Sequence, residues 1–412
     1  MESLYAQRST AIAFAVCWVI AILLVWVLHR QWWKLRAVRQ AMWIVPSIVL
    51  TSVVFWGISV RAHLAAPTVF FALLSGFAVT AALGLVVALP FSGAMLTLER
   101  LARWIAGRLR RRAHGLQKHA SHEHGSPGVD MARRGFIVTA AAAMPAITVA
   151  SAGAGVAASY GRTRFPNVPL RYPGLPEALR GLRIMHFSDV HLGYFVGLDD
   201  LEATLIDAEA QRPDIVLVTG DLADDLTVLP EALRLIAALR PRYGAYASIG
   251  NHEYYRGIEQ VRRAFDAGPI PLLIEGATNI AVGDARIHLA GADDPARTGR
   301  FNDARFMRST VEQSIDGLPS DAFSILMSHR PEGFDVAARH GVDLTLAGHY
   351  HGGIQLGLGG RAIIQPLRPD VYYWGHYRKG DAQLYTSGGV GHWFPFRLNC
   401  PPEAPVYVLD RA

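Results

Sequence analysis

Three long apolar runs in the first 90 residues constrain the fold more than any other feature of the sequence. They span residues 11–28, 42–60 and 67–90, and none has a charged side chain in its interior. A helix needs about 20 residues to cross the hydrocarbon core of a bilayer. We therefore expect an all-α transmembrane region of three to four helices. The fourth candidate, residues 135–159, is rich in Ala and Gly and only moderately hydrophobic.

Charge is divided unevenly along the 412 residues. Residues 1–161 contain 15 Lys or Arg and 4 Asp or Glu, whereas residues 162–412 contain 25 and 30. The net charge of +6 therefore arises beside the apolar runs, so no nucleic-acid-specific binding is predicted. The apolar runs lack the ionisable groups that an intramembrane ion pathway needs, which argues against a transporter.

The basic residues that flank the runs predict an orientation in the membrane. Thirteen Lys or Arg follow the first and third runs, and two lie on the other side. If all four runs span, both termini lie outside the cytoplasm. We expect a multi-pass protein of the cytoplasmic (inner) membrane with its carboxyl-terminal domain on the extracytoplasmic side. The expected organisation is transmembrane helices within 1–98, a basic cytoplasmic loop at 99–134, a fourth segment and linker at 135–161, and a carboxyl-terminal domain at 162–412.

Two readings of the basic loop and the segment after it stay open. Arg133 and Arg134 before an Ala-rich run resemble a twin-arginine export signal, but they also suit the cytoplasmic end of a fourth helix. Both readings send the following domain outside. The histidines of the loop are typical of a solvated basic segment or, alternatively, of a metal-binding one, and its cations also suit anionic lipid headgroups. These histidines are His114, His119, His122 and His124.

The soluble part alternates short apolar runs with segments of helical spacing. This alternation predicts an α/β layered fold. Predicted helices cover residues 198–210 and 230–239. Predicted strands cover 182–187, 215–219, 245–249, 271–274, 287–290, 323–327 and 343–347.

Ligand-type side chains follow five of the predicted strands. Polar residues after strand carboxyl ends converge in sheets of this kind. Carboxylates, an amide and imidazoles together suit a pair of divalent transition ions better than all-oxygen magnesium or thiolate zinc. The groups are Asp189-x-His191, Gly220-Asp221, Gly250-Asn251-His252-Glu253, Ser328-His329-Arg330 and Gly348-His349-Tyr350-His351.

This set resembles the calcineurin-like metallophosphoesterases over roughly residues 180–410. The closing stretch from Ser387-Gly388-Gly389-Val390-Gly391 to Pro401-Pro402-Glu403 looks like the bacterial membrane-associated branch with YaeI- and YkuE-like phosphodiesterases. Tyr350 stands where that branch has Thr, and Gln355 lies one place later than expected. The resemblance implies a layered β-sandwich flanked by helices.

The resemblance also implies roles for individual residues. Asp189, His191 and His351 would hold one metal ion. Asn251, His329 and His349 would hold a second, with Asp221 bridging. His252 would lie beside the phosphate as a catalytic group with Asn251, stabilising charge or protonating the leaving oxygen. The implied cofactors are two divalent ions of Mn, Fe, Zn, Co or Ni.

The chemistry of such a centre agrees with these roles. Two cations about 3.5–4 Å apart polarise phosphoryl oxygens and acidify a bridging water into a hydroxide nucleophile. A carboxylate can bridge because it offers lone pairs to both ions. Ligating histidines need a second acceptor to fix the tautomer. The candidate acceptors are Glu253, Asp224, Asp225, Asp293 and Asp294.

The leading hypothesis is hydrolysis of a phosphodiester or pyrophosphate, with a lipid-linked or envelope substrate favoured by the membrane anchor. An exported nucleotide is a further candidate. Two alternatives stay open: a membrane sensor or scaffold whose domain binds phosphorylated ligands without turnover, and a phosphomonoesterase for soluble substrates that is merely tethered.

Overall fold

The structure is a computed structural model that describes residues 2–61, 65–116, 127–193, 195–300 and 303–412. The chain forms two compact units, Met1–Val156 and Ala157–Ala412. The first unit is helical and the second contains every described strand.

Four helices of the described chain are long and apolar enough to cross a bilayer, which agrees with the expected three to four. Their candidate spans are Thr10–Leu28, Arg36–Ser59, Phe70–Leu109 and Gly135–Ser159. The helices themselves are α1 (Glu2–Leu28), the short α2 (Arg30–Trp33), α3 (Arg36–Arg61), α4 (Ala65–Leu116) and α5 (Pro127–Ser159).

Helix α4 is much longer than the predicted run at 67–90. It continues through the first part of the predicted loop at 99–134, and α5 begins again within that loop. Residues 98–112 are mostly Leu, Ala and Arg, which favour helix, so the helix continues where the sequence turns basic. The segment with His119, His122 and His124 lies outside the described residues.

Side-chain hydrogen bonds to backbone carbonyls tie the apolar helices together. The Trp18 indole N–H in α1 donates to the Met42 carbonyl in α3 at 3.0 Å. The Ser92 hydroxyl in α4 donates to the Ala141 carbonyl in α5 at 2.6 Å. Such bonds suit an apolar bundle because each polar group finds a partner away from water.

Two mixed sheets form the second unit. One has the strand order β1-β13-β2-β3-β4 and the other β11-β12-β8-β7-β6-β5, with a small β9–β10 hairpin besides. The strands are β1 (Asn167–Tyr172), β2 (Arg183–Phe187), β3 (Ile215–Thr219), β4 (Ala245–Ser248), β5 (Gly276–Val282), β6 (Ala285–Gly291), β7 (Phe323–Met327), β8 (Leu344–Ala347), β9 (Gly357–Leu358), β10 (Arg361–Ala362), β11 (Gly375–Lys379), β12 (Ala382–Thr386) and β13 (Val406–Arg411).

Alternation along the strands produces a four-layer α/β/β/α arrangement. In β3, Ile215 and Leu217 belong to the core that both sheets share. Val216 and Val218 instead pack in the cluster with helices on the outer face. Because both faces are covered, the strand reads as a continuous apolar run. The helices are α6 (Leu198–Glu209), α7 (Leu229–Ala237), α8 (Asn251–Arg256), α9 (Ile258–Asp266), α10 (Ala304–Ser314), α11 (Gly333–Arg339) and the turn-like α12 (His351–Ile354).

The predicted α/β sandwich is confirmed, and one predicted strand is wrong. Residues 271–274 form only an isolated bridge, in which Leu272 is paired with Ala247. The Pro271 carbonyl accepts from the Ala247 N–H, and the Leu273 N–H donates to the Ala247 carbonyl. Proline has no N–H to extend such a ladder, which limits the pairing to this point.

We expect Leu217→Ala to destabilise the sandwich. Leu217 is completely buried between the sheets, and a cavity there should lower the free energy of unfolding by about 2–5 kcal/mol. The measurement is the urea midpoint of the full chain in detergent, compared with Ile206→Ala. Ile206 is 66% exposed, so that control should leave the midpoint unchanged. Equal midpoints for the two variants would contradict the assignment of this core.

Candidate metal centre

The predicted ligand residues all lie just beyond strand carboxyl ends, in loops or, for Asn251 and His351, at the first residue of a short helix, and both sheets contribute. Asp189 and Asp221 follow the adjacent parallel strands β2 and β3. Asn251 follows β4, His329 follows β7, and His349 follows β8. The site thus depends on the sandwich for its assembly.

Three overlapping groups bring ligand atoms within 4.8 Å of one another. The first is Asp189, His191 and His351, which is the set predicted for one metal ion. The His351 Nε2 lies 3.2 Å from the Asp189 carboxylate. The other two groups are Asp189 with Asp221 and His329, and His191 with Asp221 and His252.

The backbone is strained at these residues. Positive φ is uncommon outside glycine and clusters at functional sites, where the surrounding structure holds it in place. Five predicted site residues are left-handed, so the sandwich fixes their directions at a conformational cost. They are Asp189 (φ 53°), His191 (φ 52°), Asp221 (φ 53°), His349 (φ 70°) and His351 (φ 44°).

Two glycines allow the loops to approach each other. A Cβ at Gly250 would overlap the Asp221 carboxylate and lie 2.9 Å from the His329 ring. A Cβ at Gly348 would overlap Ser188 and the Asp189 carboxylate. These positions require glycine because ligand groups occupy the space of a side chain.

The electrostatics of the cluster favour bound positive charge. Burial alone would raise the pKa of Asp221, but the neighbouring histidines outweigh it and hold the pKa well below its usual range. Burial would lower the pKa of His329, yet Asp221 and Asp189 raise it to about 10. The proton that His329 retains can be exchanged for a metal ion, because metal binding displaces protons from its ligands.

The donor atoms present fit a metal centre. Asn251 is buried, and its Oδ1 has no hydrogen-bond partner among the described residues. An orphaned buried amide oxygen is costly unless something binds it. His329 donates from Nδ1 to the Thr219 carbonyl at 2.8 Å, which leaves Nε2 facing Asp221 at 3.2 Å.

His349 stands in a different environment from the other histidines. Its Nε2 accepts a hydrogen bond from Arg330 Nη1 at 2.9 Å, and Arg330 Nε donates to Asp294 at 2.8 Å. The sequence alone assigns no role to Arg330, because a single arginine after a histidine is not a recognisable pattern. The predicted ligand role of His349 stays a prediction.

Among the five candidate acids, Asp224 is the partner of the imidazoles. Its Oδ1 lies 2.6 Å from His252 Nδ1 and accepts from Arg256 Nε at 3.1 Å. Its Oδ2 lies 3.3 Å from His191 Nδ1. Burial would lower the pKa of His252, but Asp221 and Asp224 raise it to about 9.

The other four acids have different partners. Glu253 accepts from the backbone N–H groups of Asp221, Leu222 and Gly250. Asp225 caps the turn at Thr227. Asp293 accepts from the Tyr254 hydroxyl, and Asp294 is held by Arg330.

A layered sandwich with buried carboxylate and imidazole groups at its strand ends defines a class of metal-dependent hydrolases. A family model for calcineurin-like phosphoesterases matches residues 182–376. The chain therefore carries a calcineurin-like metallophosphoesterase domain, as its motifs predicted.

Similar curated proteins include bacterial and animal phosphoesterases. The uncharacterized metallophosphoesterase YkuE of Bacillus subtilis (strain 168) is 28% identical over 57% of this chain and 81% of its own length. The phosphodiesterase YaeI of Escherichia coli (strain K12) is 27% identical over 55% of this chain and 82% of its own. A transmembrane protein with metallophosphoesterase domain from Danio rerio is 29% identical over 58% of this chain, but only 55% of its own length is covered.

We expect Asp224→Asn to reduce the phosphoesterase kcat by about 10- to 100-fold, the usual cost of losing a partner of ligating imidazoles. The amide cannot hold both His252 and His191 as the carboxylate does. The matched control is Asp225→Asn, one residue along, whose partner is the Thr227 turn. Steady-state kinetics of both variants give the comparison, and similar losses would show that Asp224 has no special role.

Proposed function

We propose that this chain is a membrane-anchored binuclear phosphoesterase that hydrolyses a phosphodiester or pyrophosphate at the outer face of the cytoplasmic membrane. The observation that carries the proposal is the sharing of ligand groups. Asp189 and Asp221 each belong to two of the three clusters, and together they connect every member. Overlapping ligand sets are what two neighbouring ions require.

The residues divide between the two ions by position. Asp189, His191 and His351 would hold the first, and Asn251, His329 and His349 would hold the second. Asp221 would contact both, since it groups with His191 and with His329. When bound, the two ions supply charge stabilisation for the phosphoryl oxygens and a deprotonated water as nucleophile. The mixed donor set suits Mn, Fe, Zn, Co or Ni.

His252 supplies the proton for the leaving oxygen. Its side chain is 15% exposed, whereas those of His191 and His329 are completely or almost completely buried. It can therefore reach a substrate that they cannot. Asp224 accepts from its Nδ1, which leaves Nε2, 4.0 Å from the Asp221 carboxylate, as the atom that would deliver the proton beside the ligand cluster. Asn251, immediately before it, would orient the phosphate from its buried position.

A diester at the membrane is favoured by two observations. The similar protein YaeI is named a phosphodiesterase, and four apolar helices precede the domain. Membrane attachment concentrates the enzyme near lipid-linked or envelope phosphoesters. The sensor and the tethered phosphomonoesterase are the alternatives, and the complete set of ligand residues weighs against the sensor.

We expect Asp221→Asn to lower diester hydrolysis by about 1,000-fold or more, because a neutral amide cannot bridge two cations. The assay is hydrolysis of bis(p-nitrophenyl) phosphate and p-nitrophenyl phosphate by the full chain in detergent, with metal content measured in parallel. Asp381→Asn, at an exposed position, is the matched control and should retain full activity.

The outcomes separate the candidate functions. About two transition ions per chain with metal-dependent cleavage of the diester supports the proposal. Cleavage of the monoester alone supports the phosphomonoesterase, and bound metal without cleavage supports the sensor. An Asp221→Asn variant with wild-type turnover would refute the two-metal mechanism.

The proposed topology has its own test. A reporter enzyme that works only outside the cytoplasm, fused after Ala412, should be active, because the flanking Lys and Arg favour the cytoplasmic side. A second fusion after Arg39 should be inactive. The reverse pattern of activity would place the catalytic domain in the cytoplasm.

A further inference from the structure

The phosphoesterase unit exposes aliphatic side chains in one short segment. Residues 354–368, which we term the apolar lobe, follow His351 and contain the β9–β10 hairpin. Five large aliphatic residues in these 15 positions are exposed. They are Ile354 (72%), Leu358 (68%), Ile363 (49%), Ile364 (38%) and Leu367 (80%). Exposed apolar patches of this kind mark interaction surfaces.

The hairpin sorts its residues into an inner and an outer face. Gly357 pairs with Ala362, and both are buried. Leu358 pairs with Arg361, and both are exposed. Directly paired residues of an antiparallel hairpin lie on the same face. The outer face therefore presents an aliphatic chain beside a guanidinium.

The charge of the apolar lobe differs from that of the unit around it. Residues 162–412 are acidic overall, but residues 354–368 contain two arginines and no acidic residue. Arg368 is paired with Asp370 at 2.9 Å, so Arg361 is the cation on the outer face. Aliphatic groups beside a cation suit the boundary between acyl chains and anionic headgroups.

The apolar helices that precede the phosphoesterase unit provide its proposed attachment to a membrane. Helix α5 ends at Ser159, and β1 begins at Asn167. The seven residues between them span at most about 25 Å. The short linker therefore tethers the phosphoesterase unit to any bilayer that α5 crosses, which makes lipid a surface that this unit meets at high local concentration.

The apolar lobe is connected to the metal centre. The Gln355 N–H donates to the carbonyl of His351, and the Gly357 N–H donates to the Leu398 carbonyl at 2.9 Å. A Cβ at Gly353 would overlap Ala362, so the turn after His351 packs directly on β10. A ligand that orders the lobe therefore acts next to a predicted metal ligand.

We propose that the apolar lobe docks on the bilayer surface, with its aliphatic side chains at the acyl boundary and Arg361 on anionic headgroups. Docking presents the metal centre to phosphoesters of lipid headgroups. The docking itself stands on exposure and charge, whereas the choice of substrate rests on the proposed function.

The test uses fluorescent probes on the full chain in lipid nanodiscs. Leu358→Cys, Leu367→Cys and the matched control Ile206→Cys are each labelled with nitrobenzoxadiazole in a Cys17→Ala background. Cys400 is completely buried and is retained. Discs of phosphatidylglycerol and phosphatidylcholine carry, or lack, a doxyl-labelled lipid as the quencher.

We expect about two-fold quenching at positions 358 and 367 and none at 206, since only lipid-embedded probes meet the quencher. Arg361→Gln should weaken quenching in discs with phosphatidylglycerol but not in discs of phosphatidylcholine alone. Probes at 358 and 367 that are quenched no more than the probe at 206 would overturn the proposal. Protection from solvent that does not respond to the lipid quencher would assign the lobe to a second copy or another protein surface instead.

A second measurement separates docking from substrate. The double variant Leu358→Ser with Leu367→Ser should cleave bis(p-nitrophenyl) phosphate at the wild-type rate but fluorescent phosphatidylglycerol in discs about ten-fold more slowly. Ile206→Ser should affect neither rate. Equal losses on both substrates would contradict the docking role. A wild-type chain that shows lobe quenching but cleaves only the soluble diester would refute the lipid substrate and leave the docking surface established.

Discussion

Two buried carboxylates at the ends of adjacent strands determine the organisation of the phosphoesterase unit. Asp189 and Asp221 follow β2 and β3, and both occupy the left-handed region. Unpaired buried carboxylates would be expensive. The surrounding structure therefore compensates them with imidazoles from the second sheet, which is why the site forms only when the two sheets pack together.

A series of hydrogen bonds connects the core between the sheets to the candidate metal centre. His186 in β2 lies 2.9 Å from the Tyr407 hydroxyl and 2.7 Å from the Thr219 hydroxyl. Burial lowers the pKa of His186 to about 3, so it is a neutral core residue, and the two hydroxyl groups occupy both of its ring nitrogens. The carbonyl of Thr219 in turn fixes the tautomer of His329. The packing of the core around His186 and Thr219 therefore also fixes the orientation of His329.

Local patterns in the sequence predicted the strands that carry the site. Ile215–Thr219 and Phe323–Met327 were predicted at their observed bounds because each is a continuous apolar run that ends in polar residues. Edge elements such as β11, whose residues are mostly exposed, give no such pattern. The end of α4 was missed for a related reason, since basic residues do not distinguish a loop from a helix that leaves the apolar layer.

The contacts that orient the predicted ligand residues were harder to predict than the ligand residues themselves. The sequence named five acids that could orient the imidazoles, and only distances select Asp224. Arg330 had no recognisable pattern, because its importance comes from Asp294 and His349, which are distant in sequence but adjacent in the fold. Contacts between separate loops depend on tertiary geometry, which composition and spacing do not contain.

Asp224 also connects two residues with different proposed roles, a proton donor and a metal ligand. One of its oxygens lies at His252, the proposed proton donor, and the other at His191, a proposed metal ligand. Arg256 shares the first of these oxygens, so the carboxylate cannot move toward one imidazole without weakening another contact. Residues that share a partner in this way do not contribute independently. The position of the proton donor is therefore coupled to the first metal site through a single side chain.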